Sequence, residues 1–331
     1  MENFEYYIYM KLEFLNNYLK KDLKDLESQI SERTKTKVSL INSLSKHILQ
    51  GGGKRLRPIV LILANKLCKQ NKKNIIDASV VVEFIHAATL LHDDVVDKSK
   101  MRHNKKTANS IWGNQGAVLV GDFLYSRAFE IIVEINNPRI YQILAKTTNL
   151  ISQGEVLQLM NLNNINVTEK IYLEIISRKT AKLFEASCEI GSVLANNNPK
   201  ENAALASFGN YFGLAYQLRN DYLDYFGEKN YTGKNIIEDF SEGKPTLPII
   251  YAMKKVNDKS KKIIKDTFIK QDLKKMNLIL DILLSCGADK YIQKKIDQIT
   301  LKAIKELEIF KDNKIKETLI SLANFCSTRR G

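Results

Sequence analysis

Two short acidic runs stand out among the residues that could do chemistry. In LLHDDVVD, residues 90–97, Asp93 and Asp97 are four residues apart, so a helix would place both carboxylates on one face. The apolar residues before them offer no positive charge to offset their repulsion. One or two carboxylates, with water and phosphate completing the shell, are typical of Mg²⁺ bound to a diphosphate. Alone the run is weak evidence, because solvated helix ends carry similar runs by chance.

The second acidic run, QLRNDYLD at residues 217–224, strengthens the case for a metal. Gln217 and Asp221 are four residues apart, as are Asn220 and Asp224, and the run again ends a long apolar helical pattern. Two acidic helix ends that face each other would hold a diphosphate between metal ions. Such a clamp would help an allylic C–O bond to ionise, because charge builds up on the leaving diphosphate.

Cationic residues complement the acidic runs. The run GGGKRLRP, residues 51–58, puts a glycine turn ahead of three cations and a helix-starting proline, which is typical of an anion site. It lacks the GxxxxGK[ST] spacing of nucleotide-binding loops. Further cations lie near predicted helix ends: Arg102, Lys179, Lys234 and Lys244. Each alone is typical of a surface, but with two acidic runs they indicate a site for two diphosphates.

The elements that must position these residues are helices. Apolar residues recur at helical spacing in residues 80–97, 117–133, 141–160 and 203–226, while alternating, strand-like runs are scarce. The five prolines each lie where one such segment gives way to the next. We therefore predict an all-α fold, a single large bundle of ten or more helices around a central cavity. No Pro/Gly/Ser-rich linker divides the chain, so we expect one domain over residues 1–331.

Composition narrows the cellular context. The chain is 44% apolar and 27% charged, which is typical of a soluble globular protein. The aliphatic stretch Ile59–Ala64 is too short to span a bilayer, and the N-terminus does not resemble a signal peptide. The four cysteines are scattered, which favours reduced thiols. We expect a cytoplasmic protein.

The net charge of +14 raises the question of nucleic-acid binding. From Tyr251 onward there are nineteen Lys or Arg against ten Asp or Glu, spread along amphipathic helical patterns. Aromatic residues are not interleaved with them, and no nucleic-acid-binding motif is present. A solvated Lys-rich face is the favoured interpretation and a nucleic-acid partner is not expected. Attraction to anionic lipid surfaces, and hence a peripheral membrane contact for product release, stays open.

Six ordered motifs resemble those of the polyprenyl synthetases, from about Lys46 to the end of the chain, with residues 1–45 left as N-terminal helices. They are GGGKRLRP, LHDDVVDKSKMRH, NKKTANSIWGNQGAVLVGDFL, RKTAKLF, GLAYQLRNDYLDYFG and GKNIIEDFSEGKPTLP. The resemblance implies an isoprenoid synthase-type helical fold, usually a homodimer, whose helices surround an elongation cavity. It implies Mg²⁺-dependent, head-to-tail condensation of isopentenyl diphosphate with an allylic diphosphate, farnesyl or geranyl.

The resemblance also implies roles for individual residues. Lys54, Arg57 and His86 would bind isopentenyl diphosphate, while Arg102, His103, Lys179, Lys234 and Lys244 would contact the allylic diphosphate. The Mg²⁺ ligands would be Asp93, Asp94, Asp97, Asn220, Asp221 and Asp224. Thr180 and Gln217 would lie beside the reacting carbons. The catalytic residues that the resemblance implies are therefore Asp93, Asp97, Lys179, Thr180, Gln217 and Asp221.

The chain departs from the family pattern at three places. His103 stands where a second arginine is usual, and Asn220 stands where the second motif usually has an aspartate. Ile237-Glu238 replaces a common Gly-Asp pair. The first two departures change the charge at positions to which the resemblance assigns a role. His103 would be mostly neutral near pH 7, and Asn220 removes a negative charge.

Product length is suggested by two features. The fragment TANSIWGN, residues 107–114, resembles the long-chain branch that makes quinone side chains, such as octaprenyl or decaprenyl diphosphate synthases. Ala88 and Thr89 lie about one turn before Asp93 and are predicted to face the growing chain. Short-chain members tend to place an aromatic ring at the position of Ala88, so a small residue there favours a long product. Small size for helix packing is the competing interpretation.

Other enzyme classes fit the motifs less well. A di-iron carboxylate bundle needs two ExxH pairs, but Glu83 and His86 form only one. A terpene cyclase would need a different second metal motif and has no use for the GGGKR run. A shorter-chain (farnesyl or geranylgeranyl) synthase and a weakly active subunit of a synthase heteromer remain alternatives, the latter supported only by Asn220.

Overall fold

The computed structural model describes residue 15 and residues 18–51, 53–69, 73–102, 105–227 and 238–329. This part of the chain is almost entirely helical, which confirms the predicted fold class. The helices are α1 (Lys20–Arg33), α2 (Ser39–Leu49), α3 (Leu56–Leu67), α4 (Ile75–Val96), α5 (Ala108–Ile135), α6 (Pro138–Met160), α7 (Glu169–Ile176), α8 (Lys182–Ala195), α9 (Pro199–Phe226), α10 (Glu238–Ser241), α11 (Leu247–Lys255), α12 (Asp258–Lys270), α13 (Met276–Ser285), α14 (Ala288–Glu306) and α15 (Lys314–Thr328). A π-helical segment, Ser177–Ala181, joins α7 to α8. A two-residue antiparallel ladder pairs β1 (Met101–Arg102) with β2 (Lys105–Lys106).

Prolines mark helix starts, as predicted. Pro138 and Pro199 are the first residues of α6 and α9, and Pro58 and Pro248 lie in the first turns of α3 and α11. A proline fits there because the first N–H groups of a helix have no intrahelical partner and its fixed φ matches the helix.

Contacts within the chain define two compact units. The first is Met1–Thr148, Leu183–Gly209 and Glu306–Leu322, and the second is Asn149–Lys182, Asn210–Lys305 and Ala323–Gly331. The sequence-based expectation of one domain stays a prediction.

The first unit is built around α4, which packs along α5 and also contacts α1 and α3. Phe84 and Leu91 on α4 have no exposed surface. Among the residues described, α4 is also the one helix long and apolar enough to cross a membrane, a segment that the sequence-based focus on Ile59–Ala64 missed. Within the fold, 67% of its most apolar window is buried, as in the core helix of a soluble protein.

The core of the second unit contains two apolar clusters. In one, Phe240 meets Phe268 edge to face at 5.1 Å beside Ile249 on α11. In the other, Leu218 on α9 packs with Ile292 on α14. Burying each such side chain contributes about 1.5–3 kcal/mol. These clusters hold α9, which carries Gln217, Asn220, Asp221 and Asp224, and α7, which leads into the π segment with Lys179 and Thr180.

Candidate active site

Helix α4 ends in three aspartates that face different surroundings. Asp93 and Asp97 are partly exposed and one turn apart, and the backbone N–H of Asp97 donates to the carbonyl of Asp93 at 2.8 Å. Asp94 is 1% exposed, because its position on the helix turns it inward. The predicted pairing of Asp93 with Asp97 on one helix turn is therefore present, with Asp94 set apart from it.

Arg102 neutralises the buried aspartate. Its Nε and one terminal nitrogen donate to Oδ1 of Asp94 at 3.0 and 2.8 Å. The β1–β2 hairpin presents Arg102, and Thr107 closes the loop through its N–H to the carbonyl of Lys100. Burial raises the pKa of Asp94 above its ordinary value, and Arg102 opposes this shift. His103 lies outside the described residues.

The GGGKRLRP run divides its cations between two tasks. Arg55 precedes α3 in the left-handed region at φ 48° and turns toward its own unit. Its guanidinium donates to Glu83 on α4 at 2.5 Å, to Glu27 on α1 at 2.7 Å and to the carbonyl of Leu49 at 2.5 Å. Arg55 therefore ties three helices together. Glu83, one half of the ExxH pair, is its partner.

The other two cations of this run behave differently. Lys54 is exposed, and Arg57 stacks over the ring of Phe184 with its Cζ 4.4 Å from the centroid. An aromatic face attracts a guanidinium without neutralising its charge.

His86 lies near the cations of the first unit. Burial, together with the charges of Arg57, Arg102 and Arg55, holds the pKa of His86 well below its ordinary value. The imidazole is therefore neutral near pH 7. Because the charges of Arg57 and Arg102 both act on one ring, the GGGKR run and the hairpin after α4 bring positive charge to a common place.

In the second unit, Lys179 and Thr180 lie in the π-helical segment. Lys179 Nζ contacts Oε2 of Glu155 on α6 at 2.5 Å. Gly154 permits this approach, since a Cβ there would lie 2.8 Å from the backbone nitrogen of Lys179. Single π turns inside helices are frequent at functional sites.

Gln217 and Asp221 on α9 are joined to Thr180. The Thr180 hydroxyl donates to Gln217 Oε1 at 3.2 Å, and Gln217 Nε2 donates to Asp221 Oδ1 at 2.7 Å. The Tyr172 hydroxyl donates to the other oxygen of Asp221 at 2.5 Å. The structure thus brings three predicted residues together and adds Tyr172.

Asn220 contacts the C-terminal end of the chain. A terminal nitrogen of Arg329 donates to Asn220 Oδ1, and Arg219 holds the carbonyl of Arg329 through its Nε at 2.8 Å. Asp224, one turn further on, accepts the backbone N–H of Asp239 at 3.2 Å. The amide at position 220 therefore has a cationic partner within the protein.

Lys244 is the remaining described cation of the predicted set. Its Nζ contacts Glu242 at 2.6 Å, and its N–H donates to the carbonyl of Asp239 at 2.9 Å. Asn163 braces the turn before it by donating to the carbonyl of Gly243 at 2.8 Å. Lys234 and Ile237 lie outside the described residues.

The donor sets can be compared with what a divalent ion requires. Among the described residues, no three carboxylates, imidazoles or thiolates already converge as metal ligands. Mg²⁺ is commonly held by one or two carboxylates plus substrate phosphates, so the partly exposed pair Asp93 and Asp97 fits this mode. Asp94, Asn220 and Asp221 already have close partners in the protein.

Several residues of these networks were not predicted from the sequence: Glu27, Glu83, Glu155, Tyr172, Glu242 and Arg329. Most are ordinary-looking charges whose partners lie far away along the chain. The one available signal was Glu83, which the apolar pattern of α4 places among buried residues, where an acid needs a partner.

An all-α protein with an aspartate pair at a helix end, and a cationic cluster in the same unit, defines an enzyme of the isoprenoid synthase class. A sequence profile described as "Polyprenyl synthetase" matches residues 38–283, and the chain belongs to this family. It is a prenyltransferase of isoprenoid biosynthesis.

Relatives cover almost the full chain. The octaprenyl diphosphate synthase of Escherichia coli (strain K12) is 38% identical over 322 residues, which are 97% of this chain and 99% of the relative. The all-trans-nonaprenyl-diphosphate synthase (geranyl-diphosphate specific) of Rhodobacter capsulatus is 38% identical over 93% of this chain and 95% of its own. The crystal structure of polyprenyl synthase from Caulobacter crescentus CB15, complexed with calcium and isoprenyl diphosphate, is 38% identical and superposes with a TM-score of 0.92, covering 96% of this chain and 97% of that one.

Removing the charge of Arg55 should destabilise the fold. Arg55→Gln leaves the buried Glu83 carboxylate, 5% exposed as a residue, without its cation, so the free energy of unfolding should fall by about 3 kcal/mol. Urea denaturation followed by circular dichroism measures this. The adjacent exposed cation is the control, and Lys54→Gln should change stability by less than about 0.5 kcal/mol. Equal effects of the two substitutions would show that the Arg55–Glu83 ion pair is not what holds α3 to α4.

Pyrophosphate should raise the pKa of His86. The burial and arginine charges that lower this pKa favour the neutral ring, and a bound anion would offset the arginine charges. In ¹⁵N-labelled protein, the His86 ring should stay neutral through the pH range around 6.5 and titrate at higher pH once pyrophosphate is added. His86→Gln identifies the signal, and His47 serves as the reference ring. A His86 titration that ignores pyrophosphate would contradict the anion site.

Proposed function

We propose that this prenyltransferase condenses isopentenyl diphosphate head-to-tail onto farnesyl or geranyl diphosphate and makes a long-chain all-trans polyprenyl diphosphate. The product would serve as a quinone side-chain precursor. One observation carries the proposal: the partly exposed pair Asp93 and Asp97 ends α4 in the unit where Arg57 and Arg102 both act on His86. A carboxylate pair suited to a metal ion and cations suited to an anion thus belong to one unit.

Mg²⁺ is the metal that we propose. Carboxylate and phosphate oxygens are the hard ligands that it prefers, and Asp93 and Asp97 would hold it in the first unit. In the second unit, Asp224 on α9 is the candidate ligand. When bound, it would draw electron density toward the leaving diphosphate. The roles predicted for Asp94, Asn220 and Asp221 as further ligands stay predictions.

The protein's own groups would bind and orient the substrates. Lys54, Arg57 and neutral His86 would hold the isopentenyl diphosphate through charge and ring N–H donation. Binding energy of this kind fixes the double bond against the allylic carbon, which lowers the entropic part of the barrier. In the second unit, Thr180 and Gln217 would turn oxygen atoms toward the reacting carbons. The contacts of Arg102, His103, Lys179, Lys234 and Lys244 with the allylic diphosphate stay predictions.

A long product is supported by the relatives and by Thr89, a small residue that would lie beside the growing chain. Two relatives of equal identity are named for eight and nine prenyl units, so similarity favours a long chain without fixing its length. Ala88 has no exposed surface, which favours the packing interpretation of its small size. Thr89 is partly exposed, and its hydroxyl donates to the carbonyl of His86 at 2.8 Å. Thr89 is therefore the better candidate for a residue beside the growing chain.

We further propose a cytoplasmic homodimer that contacts membranes peripherally when it releases product. Support for self-association comes from α5, where Leu119, Phe129 and Val133 are 66%, 49% and 68% exposed. Large exposed apolar residues on one helix are typical of a protein interface. The membrane contact is supported by the Lys-rich C-terminal quarter alone.

One experiment tests the function and separates it from its alternatives. The purified chain is incubated with labelled isopentenyl diphosphate, Mg²⁺ and either farnesyl or geranyl diphosphate, and the dephosphorylated products are sized. Long products support the proposal. Products that stop at C15–C20 would favour a shorter-chain synthase. No product from the chain alone would favour a subunit of a heteromer.

Removing either carboxylate of the pair should stop turnover. Asp93→Ala or Asp97→Ala should lower the condensation rate by roughly 100-fold or more, because each removes charge that balances the leaving diphosphate. Circular dichroism should be unchanged, since both side chains are partly exposed. Asp281→Ala, an exposed aspartate on α13, is the control. Near-normal product formation by either α4 variant would remove the basis of the metal assignment.

Enlarging Thr89 should shorten the product, whereas enlarging Ala88 should not. Thr89→Phe places a ring beside the growing chain, so the main product should shift toward C15–C20. Ala88→Phe overfills a packed contact and should lower stability by roughly 1–3 kcal/mol with product length unchanged. Product sizing and urea unfolding of both variants test this pair. A shortened product from Ala88→Phe alone would reverse the assignment.

A further inference from the structure

Four polar side chains form a hydrogen-bonded line within the second unit. Tyr172 on α7 donates to Asp221 at 2.5 Å, Gln217 donates to Asp221 at 2.7 Å, and Thr180 donates to Gln217 at 3.2 Å. Gln217 and Asp221 are one turn apart on α9, and Thr180 lies in the π segment. The line crosses three elements, so it is a tertiary feature that neither acidic motif predicts.

The chemistry of the groups allows one orientation of the Gln217 amide. A carboxylate only accepts hydrogen bonds, so Asp221 must face the NH₂ of Gln217 rather than its oxygen. The amide oxygen is then directed toward the Thr180 hydroxyl. A flipped amide would set its oxygen against the Asp221 carboxylate and lose that contact, whereas the Thr180 hydroxyl can donate or accept and so does not decide the orientation.

Burial makes this arrangement rigid. Tyr172 and Asp221 are each 3% exposed, and Gln217 is partly exposed. The Tyr172 hydroxyl donates to Asp221 at 2.5 Å, so the buried end of the line has a donor for the carboxylate. A buried carboxylate requires such partners, and a fully satisfied polar network fixes the side chains that form it. The line thus begins at the buried pair Tyr172 and Asp221 and leads to the partly exposed amide of Gln217.

We propose that Tyr172 and Asp221 are positioning residues that hold the oxygen of Gln217, rather than its NH₂, toward the reacting carbons. This inference rests on the proposed function, in which Gln217 and Thr180 lie beside those carbons. Positive charge develops on the allylic carbon as the diphosphate leaves. An amide oxygen stabilises that charge, whereas an NH₂ group in the same place opposes it. Asp221 then serves the reaction through Gln217, with both oxygens engaged in the line.

Tyr172→Phe removes one donor and leaves the ring in place. We expect the single-turnover rate of the first condensation to fall by about 10- to 100-fold, because the Asp221 carboxylate loses its buried donor and no longer holds the Gln217 amide in one fixed position. KM for both substrates should stay within roughly twofold, since the line does not bind diphosphate. Tyr291→Phe is the matched control: Tyr291 also donates to a carboxylate of this unit, Glu169, at 2.8 Å, and its loss should leave the rate unchanged.

A double-mutant cycle separates positioning from a general structural role. If Tyr172 acts through Gln217, then Tyr172→Phe should have no further effect on the rate in a Gln217→Ala background. A loss of the same size in both backgrounds would overturn the proposal.

Asp221→Asn provides a second variant of the same shape. It removes the charge that requires the NH₂ of Gln217, so both orientations of the Gln217 amide become possible and the rate should fall toward that of Tyr172→Phe. The Mg²⁺ concentration for half-maximal rate should stay within roughly twofold, since no ligand is removed. A raised Mg²⁺ requirement would overturn the proposal in favour of a metal ligand.

A readout without turnover keeps this test distinct from that of the function. In ¹⁵N-glutamine-labelled protein, the Gln217 side-chain NH₂ signal, identified with Gln217→Ala, should shift and exchange faster with solvent in Tyr172→Phe than in Tyr291→Phe. An unchanged Gln217 signal would overturn the positioning role even if the wild type is active. A wild type without prenyl transfer would instead remove the proposed function while the signal still reports the line.

Discussion

The crowding of negative charge at the end of α4 is the constraint on which the first unit depends. Three aspartates lie within five residues at the end of a helix that already carries a partial negative charge from its backbone dipoles. Asp94 is turned inward and meets Arg102, while Asp93 and Asp97 remain in contact with solvent. The hairpin after α4 brings one compensating cation, Arg102, to the buried aspartate. A buried acid at a helix end of this kind requires such a partner from a neighbouring segment.

Neighbouring cations of the GGGKRLRP run have different partners. Arg55 lies in the left-handed region, which directs its side chain toward Glu27 and Glu83, and its charge is neutralised by these ion pairs. Arg57 stacks on an aromatic ring, a contact that leaves the guanidinium charged. The backbone turn at position 55 therefore separates a structural cation from the one two residues away that we propose binds a diphosphate.

The fold class and the residues that make up each motif could be predicted from the sequence, because helical periodicity and proline placement are local signals. Asp93 and Asp97 could be paired from spacing alone, since one helix turn determines their relation. Arg55, Tyr172 and Arg329 could not be interpreted in this way, because their partners are 28 to 110 residues distant or depend on a single backbone torsion. Ala88 illustrates the limit most directly. Its size was visible in the sequence, but whether it faced a chain or a neighbouring helix was not, and its complete burial favours the helix.

The π segment between α7 and α8 restricts how this protein can evolve. A π turn accommodates one residue more than an α turn, so deleting a single residue there would let α7 continue into α8 as an ordinary helix. Lys179 and Thr180 would then rotate away from Glu155 and Gln217, although both helices would survive intact. Gly154 adds a second restriction, because any side chain there would enter the space of the segment's backbone. The stretch should therefore accept changes of residue type more readily than changes of length. A one-residue deletion in a descendant would remove the contacts of Lys179 and Thr180 from a chain that still folds.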